Sequence, residues 1–123
     1  ICTNAGLCAL AFTVHLTLLG EAGFTRLAEL NHAKASQLAD KIAALPGVTV
    51  LNDSFFNEFT VKLPRPAAEV VEALAAKRIL GGLPVSRLIP NDPSVANLLL
   101  VAATETATDA GMDPLVAALK EVL

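Results

Sequence analysis

Apolar positions dominate the first twenty residues, among which no Asp, Glu, Lys or Arg occurs. From Thr3 to Leu19 the chain is Ala/Leu-rich on nearly every side, which predicts a helix buried by other protein, not one lying on a surface. Gly20, with Gly23 three residues on, marks a break. A second helix follows with the clearest periodicity in the chain. Phe24, Leu27, Asn31, Ala35, Leu38, Ile42 and Leu45 step by three or four and line one face, while Arg26, Glu29, Lys34, Gln37 and Lys41 lie elsewhere. Pro46-Gly47 stops it, since proline disfavours helix in the residue before it and glycine permits the turn.

Val48 to Leu51 is a short β-prone run, and Asn52-Asp53-Ser54 is turn chemistry. In Phe55 to Leu63, Phe59, Val61 and Leu63 alternate with Glu58, Thr60 and Lys62, the period of a half-buried strand. The two runs predict an antiparallel hairpin. Pro64-Arg65-Pro66 leads into a third helix, with Pro66 at its first position and Ala67, Val70, Val71, Leu74 and Ala75 as its buried stripe. Lys77 and Arg78 complement the negative end of that helix. Ile79-Leu80-Gly81-Gly82-Leu83-Pro84 is an edge strand or a loop, because proline lacks a donor and glycine weakens pairing. Leu98 to Ala103 reads as a strand covered on both faces. A last helix is predicted from Thr108, whose apolar stripe is Met112, Leu115, Leu119 and Val122, with Pro114 inside its first two turns. Helices interspersed with a small, mostly antiparallel sheet give an α+β two-layer sandwich preceded by an apolar linker helix.

Composition narrows the function more by exclusion than by assignment. With 9 Lys+Arg against 12 Asp+Glu and a net charge of −3, the chain has no basic excess for phosphate backbones, so no nucleic-acid partner is expected. Five Phe with no Trp or Tyr supply no stacking platform. The apolar start lacks the basic leader of a signal peptide. Thr3, Asn4, Thr13, His15 and Thr17 interrupt it and no Lys or Arg anchors its edges, so a buried helix is the favoured reading and a membrane span the lesser alternative. The opening at Ile1 reads as the start of a piece of a longer chain. Cys2 and Cys8 are six apart, which fits neither a zinc nor a redox pattern and predicts two buried thiols in a reducing cytosol.

Candidate chemistry is sparse. Gly81-Gly82 follows a helix and precedes Leu-Pro, so it reads as a helix end and tight turn, not a phosphate cradle. His15 has no acidic neighbour on its helix, and His32 has Glu29 three residues earlier, an ordinary surface pairing. Phe55-Phe56-Asn57-Glu58-Phe59 places a carboxylate and an amide among three rings. That could make a desolvated acid–base pair, but alternation lets Glu58 face water and packing is the favoured reading. Thr104-Glu105-Thr106 after the apolar strand fits helix capping as well as a site at a strand end. Ser86 and the threonines have no His and Asp partners in a hydrolase arrangement. Lys34, Lys41, Lys62, Lys77 and Lys120 all read as solvated. No catalytic, cofactor-binding or metal-ligating residue is assigned.

Several of these strings recur together in one family. Ile1-Cys2-Thr3-Asn4, the Glu-Leu-Asn-x-Ala-Lys-Ala stretch at 29–35, Leu45-Pro46-Gly47-Val48, Phe55-Phe56-Asn57-Glu58-Phe59, Ile79-Leu80-Gly81-Gly82-Leu83-Pro84 and Thr104-Glu105-Thr106 stand in its order. The chain resembles the C-terminal part of subunit 1, the α subunit, of glycine dehydrogenase (decarboxylating), the two-subunit P-protein of the glycine cleavage system. The likeness spans essentially all 123 residues. Pro114 and Gly6 depart from it, the first where the family more often continues a helix, the second by interrupting the first helix. The resemblance implies the small C-terminal domain of a fold-type I pyridoxal-phosphate enzyme. Residues 1–20 would be the apolar helix leading from a large domain, and 21–123 the α+β small domain. It implies further that the complete enzyme, a heterotetramer, decarboxylates glycine and passes the aminomethyl group to a lipoyl H-protein. The pyridoxal phosphate would sit on a lysine of subunit 2, leaving this fragment structural and inactive alone. Two other readings stay open: the small domain of another fold-type I enzyme (an aminotransferase or a cysteine desulfurase), or a free-standing α+β ligand-binding module.

Overall fold

The computed structural model describes residues 4–123, so Cys2 and the start of the first motif lie outside the described residues. Helix α1 runs Gly6–Ala43 and is broken at Gly20, whose φ of 62° and ψ of −176° are not helical. The break falls where the sequence places it, but the helix resumes at once instead of near Phe24. Gly6 does not interrupt the helix; it is the first helical residue, its N–H directed at Asn4 Oδ1 at 3.4 Å. Strands β1 (Thr49–Val50) and β2 (Glu58–Lys62) come next, then α2 (Ala67–Ala76), β3 (Leu83–Pro84), β4 (Leu98–Ala102) and α3 (Asp109–Val122). Single helical turns at Val85–Arg87 and Pro93–Val95 lie between β3 and β4.

The sheet has the order β1-β2-β4-β3 and every pairing is antiparallel. Its two longest strands, β2 and β4, pair in the middle over five residues, from Glu58 opposite Ala102 to Lys62 opposite Leu98. Pro84 sits on an edge strand, as its missing donor requires. The hairpin is present, but β2 begins at Glu58, so its loop takes in the first three residues of the Phe-Phe-Asn-Glu-Phe string. Asn52 extends the pairing beyond β1, because its Oδ1 accepts the Thr60 N–H at 2.7 Å while Leu51 N–H donates to Thr60 O at 2.9 Å.

One face of the sheet carries the core. Phe59, Val61, Leu63, Leu99, Val101 and Ala103 are buried against Ala35, Leu38, Ala39 and Ile42 of α1, Val70 and Leu74 of α2, and Met112, Ala118 and Leu119 of α3. This is the expected two-layer sandwich, with four corrections at residue level. Leu98 to Ala102 is covered on one face only, since Leu98 and Leu100 are half-buried and Ala102 is exposed. Ala75 is exposed, and Pro66 caps α2 from outside its first turn. Phe24 is 55% exposed, so the packed stripe of α1 starts at Leu27.

The segment before Gly20 does not pack against the sandwich. Residues 4–15 are all exposed, Cys8 among them, which corrects the expectation of a buried thiol there. Leu7, Leu10, Phe12 and Leu18 are among the most exposed large apolar side chains. Among the described residues nothing buries it. By length and composition α1 could cross a membrane. Its unbroken part before the bend, residues 6–19, is about 21 Å long, short of the roughly 30 Å hydrocarbon core.

Helix ends explain the rest. Thr108 caps α3, its Oγ1 accepting the Gly111 N–H at 3.2 Å. The start is the expected one, and Pro114 lies within the first two turns of α3. At the other end Arg65 donates to Val122 O at 3.0 Å and to Glu69 at 2.8 Å, tying α2 to the last turn of α3. Gly82 has a φ of 132°, and a Cβ there would stand 2.4 Å from Leu100 O. A Cβ at Gly81 would stand 2.3 Å from Leu74 Cδ1. The Gly-Gly pair is therefore there so that the edge strand can approach β4 and α2, which replaces the helix-end reading.

Candidate functional site

Three strings that stand far apart in the sequence meet at one end of the central strand pair. Asn31 on α1 donates through Nδ2 to Leu27 O at 2.8 Å and accepts the Glu105 N–H through Oδ1 at 3.3 Å. Asn57 O accepts the Ala103 N–H at 3.0 Å, continuing the β2–β4 pairing past its last ladder residue. His32 Nδ1 lies 3.0 Å from Phe56 O. A carbonyl only accepts, so this nitrogen carries a proton and donates it. The ring of His32 lies 6.2 Å from that of Phe55 at 64° and 6.3 Å from that of Phe56 at 7°, while Phe55 packs on Phe59 at 5.1 Å.

His32 therefore anchors the hairpin loop, not the Glu29 carboxylate, which pairs with Arg26 at 3.2 Å. Glu58 is exposed on the strand face that turns away from the helices, as alternation requires, and makes no acid–base pair with the half-buried Asn57. Thr104 and Thr106 do not cap α3. Their hydroxyls bond each other at 2.9 Å and close the turn that precedes Thr108. His15 is exposed on the first part of α1. The residue to which sequence reasoning gave no site role is Asn31. A polar side chain in an otherwise apolar stripe is the available signal, because a part-buried amide there must find partners.

Beside this cluster a groove of about 570 Å³ runs between α1 and the hairpin loop, lined among others by His32, Ser36, Asp40, Asn52, Asp53 and Phe55. Its polar lining offers two carboxylates and a ring nitrogen, which suits hydrogen bonding to a polar or cationic group. Among the described residues no cluster of His, Cys, Asp and Glu could hold a metal ion.

The lysines are more engaged than a solvated reading implies. Lys34 lies 3.7 Å from Asp109, Gln37 donates to Asp109 at 2.7 Å, and Lys41 pairs with Asp113. Positions 34, 37 and 41 share one face of α1, so these contacts form a polar seam against the first turns of α3. Lys77 pairs with Glu121, and this ammonium holds the Glu121 carboxyl below the ordinary carboxylate range. Asp92 is lowered as well, by the hydrogen bonds it accepts from Ser94. Lys62 and Lys120 are exposed. A pyridoxal phosphate requires an unpaired amine beside an anion cradle, and these residues do not fit it. The N-terminus of α3 is already filled by Thr108 and carries Asp109, which repels phosphate, and at the start of α2 the Ala67 N–H donates to Ala96 O.

The comparisons with known proteins give this arrangement a context. The chain is 69% identical over its full length to a protein of Rhodospirillum centenum described as "Probable glycine dehydrogenase (decarboxylating) subunit 1", and spans 27% of that protein. A crystal structure of glycine decarboxylase (P-protein) of the glycine cleavage system, in inhibitor-bound form, superposes on the whole chain with a TM-score of 0.86 at 37% identity, over 27% of its own length. A C-DES mutant with glycine covalently linked to its PLP cofactor shares the fold alone: TM-score 0.65, 14% identity, over 79% of this chain and 24% of that one. The fold is thus that of the corresponding region in PLP-dependent enzymes, and the chain spans about a quarter of the length of the curated relatives it matches. A family profile described as "Glycine cleavage system P-protein" matches residues 1–119. With that match covering nearly all of a sequence in which three of the recurring strings converge at one end of the sheet, the chain belongs to the glycine cleavage system P-protein family.

Proposed function

We propose that this chain is the C-terminal lobe of subunit 1 of glycine dehydrogenase (decarboxylating), acting in the cytoplasm inside a two-subunit enzyme. In this reading residues 21–123 form the small domain, and the apolar helix of residues 1–20 leads from, and is covered by, the rest of the subunit. The enzyme removes the carboxyl group of glycine and hands the aminomethyl group to a lipoyl H-protein, and pyridoxal phosphate supplies the electron sink when bound. The cofactor lysine belongs to subunit 2, and this lobe contributes fold and interface without covalent chemistry.

The observation that carries the proposal is the 69% identity over all 123 residues to a subunit 1 protein. The lysine arrangement supports the division of labour, since three of the five are held by carboxylates and two stand in open solvent. The test is reconstitution. Subunit 1 containing this segment, combined with subunit 2 and lipoyl H-protein, is expected to exchange labelled bicarbonate into glycine, and this chain alone to exchange none. Borohydride reduction followed by peptide mapping is expected to place the pyridoxyl label on subunit 2. A label on Lys34, Lys41, Lys62, Lys77 or Lys120, or no exchange from the reconstituted pair, overturns the proposal.

A further inference from the structure

We propose that Gly20 is an articulation about which the apolar helix 6–19 swings relative to the sandwich. Its dihedrals, φ 62° and ψ −176°, belong to a region that only glycine occupies without strain. A Cβ at this position would meet nothing within 4 Å, so packing places no demand on residue 20 and the backbone places all of it. The bend also removes helical partners from the N–H groups that follow it, as at any helix start. Straightening restores those bonds, while the poor helix propensity of glycine opposes it. Two conformations are thus separated by small opposed effects at one residue.

Among the described residues none near the bend is buried, so the sandwich core does not hold its angle. On one side residues 4–15 are fully exposed; on the other the first fully buried residue of α1 is Ala35. Whatever body covers the apolar helix is therefore joined to the sandwich through a single permissive residue. Gly23 is different, because it is ordinary helix: a Cβ there would make normal contact with Leu19 at 3.4 Å. It serves as the control for added helix propensity.

The test is the distance distribution between spin labels on Cys8 and on Ala76→Cys, in a Cys2→Ser background, by double electron–electron resonance on chains diluted with unlabelled protein. The expected result is two populations, with one of them lost in Gly20→Ala and both retained in Gly23→Ala. A single narrow distance in the chain with Gly20 overturns the proposal whatever the variants do, and so does an unchanged distribution in Gly20→Ala. No catalytic activity enters the measurement, so its failure is distinct from a failure of the enzymatic reading.

Discussion

Asn31 Oδ1 accepts the backbone N–H of Glu105 across 74 positions of sequence, at 3.3 Å. That bond joins the one polar residue of the α1 stripe to the Thr-Glu-Thr turn, and the same side chain closes on Leu27 O one helical turn back. A single amide thereby fixes the distance between a helix and the end of a strand. Replacing it with Asn31→Leu keeps the branched heavy-atom shape and removes both bonds. A loss of about 1 kcal/mol is expected in urea denaturation, the typical net worth of such bonds. Hydrogen exchange at Glu105 is expected to rise with it, and an unchanged exchange rate there would count against this role.

Gly82 and Gly20 both have positive φ, yet their substitutions should behave oppositely. At Gly82 a Cβ collides with Leu100 O at 2.4 Å in the backbone of the central pair. Gly82→Ala is expected to cost about 2–3 kcal/mol, the scale of a strained backbone position, and to lower the unfolding midpoint accordingly. Gly20→Ala meets no atom and lies outside the sandwich core, so its unfolding midpoint should be nearly unchanged.

The ion pair of Lys77 and Glu121 links the end of α2 to the end of α3 and lowers the Glu121 carboxyl. A group whose folded value lies below its unfolded one stabilises the fold above the unfolded value and loses that contribution as pH falls through the folded one. The link is therefore present at neutral pH and fades below the ordinary carboxylate value of 4.5. In Lys77→Met the Glu121 midpoint, followed by carboxyl carbon NMR, should rise toward that ordinary value. An unmoved midpoint would show that the ammonium is not the cause.

Leu10 and Leu18 are 60% and 81% exposed on a helix with no charged residue before Glu21. Apolar surface returned from water is worth about 25 cal/mol per Å², so the isolated chain should self-associate through this helix. Sedimentation velocity is expected to show concentration-dependent oligomers that Leu10→Lys with Leu18→Lys abolishes. A monodisperse monomer at high concentration would sink this expectation.

Most local structure was legible because it depends on neighbours in sequence. The alternation through Phe59, Val61 and Leu63 placed β2, Pro84 placed an edge, and Thr108 with its stripe placed α3. The candidate site was legible only in pieces. Phe55-Phe56-Asn57, Asn31-His32 and Thr104-Glu105-Thr106 could each be singled out, but His32 looked like a partner of Glu29 because helix spacing was the only geometry the sequence offered. Its true partner, Phe56 O, is 24 residues away. Lys34 and Lys41 looked solvated for the same reason, since Asp109 and Asp113 come from another helix.

The chain's own pattern of residues determined the elements, their ends, the buried stripe of α1 from Leu27 on and the one-sided alternation of β2, because hydrophobic period and capping chemistry act over a few residues. Tertiary structure alone decided which strings meet at the sheet end, which carboxylates hold the lysines, and that this chain itself only half-covers the second face of β4 and leaves the helix before Gly20 uncovered. The physical reason is that an apolar residue records a demand for cover without saying what meets it, and only the packed arrangement shows where this chain meets that demand itself.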